Sequence, residues 1–281
     1  MIINRKPQIS IIIPTWNTAD ITLKCVKSIR RFFSPQQIEI IVVDNFSTDN
    51  TAKIFSSFSD LKYLLLDQNY GYSYACNRGA DQATSHVFLF LNSDMELVDN
   101  KLLQMLKFLL ETPKCGLVGP KLLNTDLTPQ GSVFPPQTPL NAFKQFWLRK
   151  PTYLKYSPIT KEPISVWSIS GGAVLIKKTL FQKLFGWNEH YPFYFEDMDL
   201  CRRIRALGLN IFYFPDCQII HQHGASAKQL TGINASYKKL VSGSIKYHGV
   251  FIHYLINFVI WSGQKWYRFL SKIHLFRDQN R

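Results

Sequence analysis

Two groups of acidic residues lie where a carboxylate could do chemistry. Asp94 comes just after the apolar run 87–91, while Glu196, Asp197 and Asp199 place three acids within four residues. A carboxylate at the carboxyl end of a buried strand can meet a metal ion or a phosphate. Asp94 could equally be a turn former, and the later acids could open a helix, since acids favour helix N-termini. Three acids exceed what a cap needs, so we treat this group as a candidate catalytic segment.

Short apolar runs and amphipathic stretches alternate in the first half of the sequence, which predicts strands and helices in turn. The predicted strands are residues 8–13, 38–43, 62–66, 87–91 and 173–176, and the predicted helices are residues 19–33, a short helix ending at 58, 72–83, 100–110 and 197–207. Ser47, Asp49 and Asn50 are suitable caps for the short helix. This order predicts an α/β fold with a parallel, doubly wound nucleotide-binding sheet.

The loop after the first predicted strand lacks the usual dinucleotide-binding pattern. A Rossmann site needs G-x-G-x-x-G there, so that the pyrophosphate can approach a helix N-terminus. Residues 14–18 contain no glycine, and the sequence has no Walker P-loop. We therefore expect any nucleotide to be held in another way. The same loop disfavours a sugar-phosphate nucleotidyltransferase, which shares the sheet type but needs a glycine-rich first loop.

Composition places the chain among globular proteins. Of its 281 residues, 46% are hydrophobic and 19% are charged, which argues against disorder. Five cysteines without a C-x-x-C pair predict reduced thiols in a cytosolic compartment. We find no signal-peptide pattern, and no apolar run of the roughly 20 residues that a membrane span needs. We therefore expect a soluble or peripheral intracellular protein.

Positive charge is concentrated near the end of the sequence. Residues 225–281 contain nine Lys or Arg and one acid, Asp278, and so supply +8 of the net charge of +14. Ten aromatic residues are interleaved with these cations, as in segments that lie in the headgroup layer of an anionic membrane. The segment could also be a helical subdomain that packs on the core. Nucleic acid is disfavoured as a partner because no recognition motif accompanies the charge.

Seven motifs in order resemble those of the family 2 inverting glycosyltransferases, and most of all the rhamnosyltransferase-like branch. They are residues 10–17 (SIIIPTWN), 41–49 (IVVDNFSTD), 69–77 (NYGYSYACN), 91–94 (LNSD), 170–174 (SGGAV), 195–199 (FEDMD) and 221–226 (HQHGAS). The resemblance covers residues 8 to about 226. It implies a GT-A fold, a Rossmann-like and mostly parallel sheet flanked by helices, with a C-terminal helical basic extension. By this resemblance residues 1–111 form the nucleotide-binding half, 112–226 form the acceptor and catalytic half, and 227–281 form the basic aromatic extension.

The resemblance also implies roles for individual residues. Asp197, next to Glu196, would be the catalytic base, and Asp94 with His221 would bind Mg²⁺ or Mn²⁺ together with the donor diphosphate. Asn92 stands where many family members have Asp, so Asp94 is the one carboxylate in the motif 91–94. The residues implied in donor binding are Pro14, Thr15, Asn17, Asp44, Asn45, Asn69, Gly71, Asn77, Asn92, Ser93, Gly171 and Gly172. Asp44 could alternatively cap the next helix.

Three further features carry an ordinary structural interpretation beside a functional one. Gly171 and Gly172 could let the backbone approach a sugar, or could form a tight turn. Trp187 could stack on a sugar or lie in the core. Residues 141–155 are basic and aromatic, and could form a mobile acceptor loop that meets a lipid diphosphate.

The sequence therefore predicts a metal-assisted inverting hexosyltransferase. By resemblance, it would transfer a sugar, with rhamnose from dTDP-rhamnose as the leading donor, to a glycan or lipid-linked glycan acceptor. The expected setting is cell-surface polysaccharide synthesis at the cytoplasmic face of the membrane, with peripheral membrane contact. Two alternatives are a non-catalytic protein that binds sugar nucleotides or membranes, and the nucleotidyltransferase disfavoured above.

Overall fold

A computed structural model of the protein describes residues 7–191, 194–222 and 233–272. The strands are β1 (Ile9–Thr15), β2 (Ile38–Asp44), β3 (Lys62–Leu65), β4 (Val87–Leu91), β5 (Met95–Leu97), β6 (Cys115–Leu123), β7 (Pro129–Gln130), β8 (Val133–Phe134), β9 (Ile164–Val166), β10 (Ser168–Ile169), β11 (Ala173–Lys177) and β12 (Asn210–His221). The helices are α1 (Ala19–Phe32), α2 (Thr51–Phe55), α3 (Tyr72–Gln82), α4 (Leu102–Glu111), α5 (Pro139–Phe146), α6 (Lys178–Lys183), α7 (Glu196–Ala206), α8 (Ile233–His248) and α9 (Val250–Lys272).

The main sheet has the strand order β3-β2-β1-β4-β11-β6-β12-β5, with β7 and β9 added to β6 and β12. The first four strands are parallel, as the alternation of strands and helices predicts. Strand β11 runs antiparallel to both β4 and β6, and β5 runs antiparallel to β12. The parallel arrangement predicted from the first half of the sequence holds for β1 to β4, and the mostly parallel sheet flanked by helices is confirmed. Residues 1–111 and 112–226 contribute strands to this one sheet.

The core lies on both faces of the sheet because alternate residues of a strand point to opposite faces. Ile11 of β1 packs in the cluster that contains Val26 of α1, and Ile12 packs in the cluster that contains Ala80 of α3. All five cysteines are buried and form no disulfide. Parallel pairing aligns the carboxyl ends of the strands, and Thr15 at the end of β1 lies beside Asp44 at the end of β2. This edge carries the polar residues of the candidate site.

The helices differ from the sequence prediction in several places. The short helix α2 ends at Phe55, three residues before the predicted end, and α6 was not predicted. Helix α5 overlaps the start of the segment 141–155, which was considered as an acceptor loop. Thr138 caps α5 by accepting a hydrogen bond from the Asn141 amide, and Pro139 occupies the first turn, where its missing N–H has no cost.

The C-terminal helices pack on the rest of the chain. Helix α9 lies along α5, where Trp147 Nε1 donates a hydrogen bond to the Val259 carbonyl at 3.2 Å. Near the end of α8, the Tyr247 carbonyl accepts a hydrogen bond from Arg202 of α7 at 3.0 Å. None of the helices in the described part of the chain is long and apolar enough to cross a membrane. The predicted boundary at residue 226 lies outside the described residues.

Candidate active site

The loops that follow β1 and β2 are joined by hydrogen bonds. The Asn17 side chain accepts from the Thr48 amide at 2.7 Å, and the Asn17 amide donates to Ser47 Oγ at 2.8 Å. Asn17 has a positive φ of 51°, which an asparagine tolerates better than most residues. Asp49 accepts from the Ala19 amide at the start of α1 and from the Thr51 amide at the start of α2. These contacts hold the two loops as one unit at the carboxyl edge of the sheet.

Asp44 lies at the end of β2 and is fully buried. One carboxylate oxygen accepts from the Ser47 amide at 2.8 Å, and the other accepts from the Tyr63 hydroxyl at 2.6 Å. Burial, and the hydrogen bond and negative charge of Asp44, raise the pKa of Tyr63 above its ordinary value, so the phenol stays protonated and keeps donating. Asp44 thus shapes the loop after β2, and it does not cap the next helix, α2, whose N-cap is Asn50.

The hydroxyl of Thr15 points into the protein. Thr15 Oγ1 lies 2.7 Å from Thr22 Oγ1 and 2.9 Å from Thr18 Oγ1, and Thr18 Oγ1 lies 3.2 Å from Ser93 Oγ. This buried hydroxyl chain connects the end of β1 to the residue that precedes Asp94. The neighbouring Pro14 is half-buried at the end of β1.

Asn45 and Asn69 connect the loops after β2 and β3. The side-chain nitrogen Asn45 Nδ2 donates to Asn69 Oδ1 at 2.9 Å, and Asn45 Oδ1 accepts from the Tyr70 backbone N–H at 3.0 Å. Asn69 Oδ1 also accepts from Gly71, whose positive φ of 90° starts helix α3. Asn77 on α3 lies away from this edge and holds the backbone N–H and carbonyl of Trp187, each at 2.9 Å.

Asp94 lies beside His221, as the metal-site prediction requires. The pairing of β12 with β5 sets His221 opposite Met95, and His221 Nε2 lies 3.4 Å from Asp94 Oδ1. Gln130 Oε1 lies 2.6 Å from His221 Nδ1, while Gln130 Nε2 donates to Asn124 Oδ1 at 2.9 Å. The Gln130 amide is therefore oriented with its oxygen toward the ring. In the neutral imidazole this places the proton on Nδ1 and a lone pair on Nε2, toward Asp94.

The donor set at this point suits a divalent ion. A carboxylate oxygen and an imidazole nitrogen converge, and the second ring nitrogen is held by an amide, as in many metal-binding histidines. No group of three His, Cys, Asp or Glu side chains that could hold a metal occurs within the described ranges. Asp94 and His221 can therefore supply two ligands, and the remaining ligands would have to come from a bound diphosphate or water. Residues 223–226 of the same motif lie outside the described residues.

Asp197 lies in the first turn of α7. Tyr194 and Phe195, directly before the helix, have positive φ values of 72° and 71°. Such conformations cost about 1–3 kcal/mol each for residues other than glycine. Asp197 Oδ2 accepts from the Gly171 amide at 3.1 Å, and Oδ1 accepts from the Met198 amide at 2.7 Å. These bonds fix the direction of the carboxylate.

Glu196 and Asp197 are adjacent carboxyl groups with raised pKa values. Burial raises the pKa of Glu196, and the negative charge of Asp197 raises it further. Burial also raises the pKa of Asp197, although the amides of Gly171 and Met198 and the positive charge of Lys155 act in the opposite direction. A raised pKa favours proton acceptance near neutral pH, which suits a general base.

Gly171 and Gly172 contact Asp197 on one side and Asn92 and Met95, which flank Asp94 in the sequence, on the other. The Gly172 carbonyl accepts from the Asn92 amide at 2.8 Å, and Tyr72 donates its hydroxyl hydrogen to the Gly171 carbonyl at 2.9 Å. A Cβ on Gly171 would lie 3.0 Å from Asp197 Cβ, and one on Gly172 would lie 2.5 Å from Met95 Cε. The close approach predicted for these glycines is therefore to the protein's own side chains.

Asp199 and Trp187 do not take the functional roles considered for them from the sequence. Asp199, grouped with Glu196 and Asp197 as a candidate catalytic segment, binds Arg202 at 2.8 Å and Arg203 at 2.7 Å. Trp187 is 1% exposed and lies in the core, so its ring does not present a face to a sugar. Sequence reasoning missed three residues that contact the site. Gln130 and Tyr63 lie outside the motifs and contact His221 and Asp44, and Tyr72 lies within the motif 69–77 and contacts Gly171. The sequence offers no signal for them beyond a side-chain amide or hydroxyl in or near a motif.

Solved structures with related folds include two glycosyltransferases. The mannosyltransferase PcManGT from Pyrobaculum calidifontis, in complex with GDP-Man and Mn²⁺, superposes with a TM-score of 0.62 at 16% identity, over 95% of this chain and 76% of that chain. GalNAc-T7 with UDP, GalNAc and Mn²⁺ gives a TM-score of 0.62 at 15% identity, over 78% of this chain and 44% of that chain. These similarities confirm the GT-A-like fold.

Curated relatives are similar over most of the described fold. The O-antigen biosynthesis protein RfbC of Myxococcus xanthus is 28% identical over 79% of this chain, which spans only 18% of that protein's length. The N-acetylglucosaminyl-diphospho-decaprenol L-rhamnosyltransferase of Mycobacterium tuberculosis is 24% identical over 67% of this chain and 68% of its own length. The model of the family described as Glycosyl transferase family 2 matches residues 10–185, more than half of the chain, and the chain therefore belongs to this family.

Proposed function

We propose that the protein is a nucleotide-sugar-dependent glycosyltransferase that inverts the anomeric carbon of a transferred hexose. The observation that carries this proposal is the arrangement of Asp94 and Asp197 around one diglycine. Asn92, two residues before Asp94, donates to the Gly172 carbonyl, and Gly171 donates to Asp197. A site for a metal-bound diphosphate and a site for a base are thus held at fixed positions by the same short segment.

The chain's own residues would share the work of the reaction. The Asp197 carboxylate would take the proton of an acceptor hydroxyl while the hydroxyl oxygen bonds to the anomeric carbon. The bond from that carbon to the diphosphate oxygen breaks on the opposite side, which releases the nucleoside diphosphate and inverts the carbon. A divalent ion bound by Asp94 and His221 would neutralise charge on the departing diphosphate. Glu196, with its raised pKa, would remain protonated beside the base.

The donor-binding half would comprise residues 1–111, and the acceptor half residues 112–226. The joined loops that carry Asn17, Asp44 and Asn45 support the first assignment, since backbone and amide groups there lie at the carboxyl edge of the sheet. Ligands of open α/β sheets bind at this edge. We propose a nucleoside diphosphate sugar as the donor.

The setting we propose is the assembly of a cell-surface glycan, with a glycan or lipid-linked glycan as acceptor. The names of an O-antigen biosynthesis protein and of a rhamnosyltransferase acting on a decaprenol-linked sugar among the relatives support this setting. The second name, together with the Asn-Ser-Asp form of residues 92–94, makes rhamnose from dTDP-rhamnose our leading donor. We place the reaction at the inner face of the cell membrane.

Thermal unfolding with candidate donors tests donor binding. The full chain is heated with UDP-, dTDP- and GDP-sugars, with and without Mn²⁺, and a ligand at about 100 times its Kd should add about 2.7 kcal/mol to the free energy of unfolding. Asp94→Asn should lose the Mn²⁺-dependent part of this shift, whereas Asp216→Asn, an exposed acid on β12, should keep it. If no donor stabilises the wild-type chain, the proposed function is wrong.

Turnover of the stabilising donor tests the chemistry. Slow hydrolysis of the donor by water reports activity without knowledge of the acceptor. Asp197→Asn should retain the thermal shift with the donor and lose hydrolysis, because it keeps the shape of the side chain but not the base. Donor binding without turnover by the wild-type chain would favour a non-catalytic sugar-nucleotide-binding protein instead.

A further inference from the structure

Helix α9 carries an exposed aromatic stripe along one side. Phe251, Tyr254, Phe258, Trp261 and Phe269 recur at spacings of three, four and eight residues, which places them on one face of the helix. Each of these side chains is more than half exposed, and Phe251 reaches 77%. Large contiguous apolar patches on a protein surface generally mark an interaction site.

The opposite side of α9 is already occupied. Ile256 and His253 are buried, and Gly263 lies so close to α5 that a Cβ there would be 2.8 Å from the Phe146 carbonyl oxygen. The Trp147 and Trp266 rings stack with their centroids 6.1 Å apart. The packing of α9 on α5 therefore fixes which side faces outward, and the aromatic stripe cannot turn inward without breaking these contacts.

The charge around the stripe identifies the kind of partner. Residues 139–156 and 233–272, which contain α5, α8 and α9, carry ten Lys or Arg and no Asp or Glu. Lys265 lies on the stripe itself, and Arg268 lies beside it. Two copies of such a surface would repel each other, whereas an anionic surface would attract both the cations and, at its headgroup layer, the aromatic rings.

We infer that the stripe of α9 docks on the surface of an anionic lipid bilayer. Aromatic side chains suit the boundary between headgroups and acyl chains, and Lys and Arg beside them suit lipid phosphates. The helix lies in this boundary and does not cross it, in keeping with the hydropathy of the described helices. The inference deepens the proposed function. It rests on that proposal in one respect, namely that a lipid-linked acceptor is presented at this membrane surface.

The docking unit, which consists of α5, α8 and α9, is bonded to the rest of the fold at two points. The segment after α5 pairs with β8, where the Tyr156 amide donates to the Val133 carbonyl at 2.9 Å. The end of α8 receives the hydrogen bond from Arg202 on α7, the helix that begins with the catalytic acids. A bilayer bound by α9 therefore has a fixed orientation relative to Asp197, as a transferase acting on a membrane-held acceptor requires.

Sedimentation with lipid vesicles tests the inference without any turnover. The full chain should bind vesicles of about 3:1 phosphatidylcholine to phosphatidylglycerol, and bind at least about tenfold less to pure phosphatidylcholine or in ~0.5 M NaCl. The variant Phe251→Ser/Phe258→Ser/Trp261→Ser should lose at least about tenfold in binding. The matched control is Phe185→Ser, a 94% exposed phenylalanine away from the unit, which should bind like wild type.

A charge variant covers the case in which the aromatic variant does not fold. Lys265→Gln/Arg268→Gln should weaken vesicle binding about fivefold or more. The control Lys53→Gln/Lys107→Gln, which changes two exposed lysines on α2 and α4, should bind vesicles like wild type. Donor-induced thermal shifts, measured in parallel, report on the proposed function separately. The inference is overturned if wild type does not bind anionic vesicles, if the stripe variants bind as well as wild type, or if the stripe instead holds a dimer that the variants dissociate.

Discussion

Replacing Glu196 by glutamine is expected to stabilise the folded protein at neutral and alkaline pH. In the wild type, burial and the charge of Asp197 raise the pKa of Glu196. Within the described part of the chain, no hydrogen bond reaches Glu196 Oε2, so the ionised group is poorly compensated. Glutamine has nearly the same shape and carries no charge. The substitution therefore removes the cost of ionising a buried carboxyl group.

The sign follows from proton linkage. A carboxyl group whose pKa is higher in the folded than in the unfolded state binds its proton more tightly when folded, so stability falls as pH rises past the ordinary value of 4.5. The loss is complete once pH exceeds the raised pKa. A tenfold change in proton affinity corresponds to about 1.4 kcal/mol. The rise of the Glu196 pKa from 4.5 to about 8 makes proton binding more than about a thousand times tighter in the folded state, so Glu196→Gln is expected to gain about 4 kcal/mol at pH 8.

Urea unfolding at a series of pH values measures this gain. The difference between Glu196→Gln and wild type should be near zero at pH 4 and should grow toward pH 8. Asp199→Asn is the control on the same helix, because its carboxylate binds two arginines and its loss should cost about 2–4 kcal/mol. A pH-independent difference, or destabilisation by Glu196→Gln at pH 8, would refute the assignment of a buried, ionisation-resistant carboxyl group.

Three further substitutions test the elements around the site. Gln130→Leu removes the acceptor beside His221 Nδ1 and should raise the Mn²⁺ concentration for half-maximal donor hydrolysis about tenfold or more. Tyr63→Phe removes the donor to Asp44 Oδ2 and should cost about 1 kcal/mol in urea unfolding, with weaker nucleotide binding by calorimetry. Gly172→Ala forces its Cβ against Met95 and should lower the free energy of unfolding by about 1–3 kcal/mol and slow hydrolysis. Unchanged values would show that these contacts do not support the site.

The parallel half of the fold could be predicted because its signals are local. Runs such as 87–91 are continuous and apolar, and each is bounded by polar residues, so strand positions agree with the structure to within about two residues. The insertion of β11 between β4 and β6 could not be predicted in this way. It depends on pairing between distant segments, and a residue pattern of period two does not specify its partner strand.

The site shows the same division between local and distant information. Motif residues such as Asp94 and Asp197 could be selected from the sequence, but the contact between Asp94 and His221 depends on the pairing of β12 with β5. Helix α5 at the start of segment 141–155 was not predicted because the basic and aromatic composition of this segment was considered without its helical spacing. Leu140, Phe143 and Phe146 recur at three-residue intervals, which is the pattern of a helix face.

The diglycine explains how two distant halves of the sequence can act at one bond. Its second residue is bonded to Asn92, just after β4 in the proposed donor half, and its first residue is bonded to the carboxylate of Asp197 in the proposed acceptor half. A Cβ on Gly171 would crowd Asp197 Cβ at 3.0 Å, and a Cβ on Gly172 would displace Met95 Cε, so a larger residue at either position would disturb the surroundings of a carboxylate. A small change in such distances can cost orders of magnitude in rate. Absence of a side chain at this point is therefore as much a part of the proposed chemistry as the carboxylates themselves.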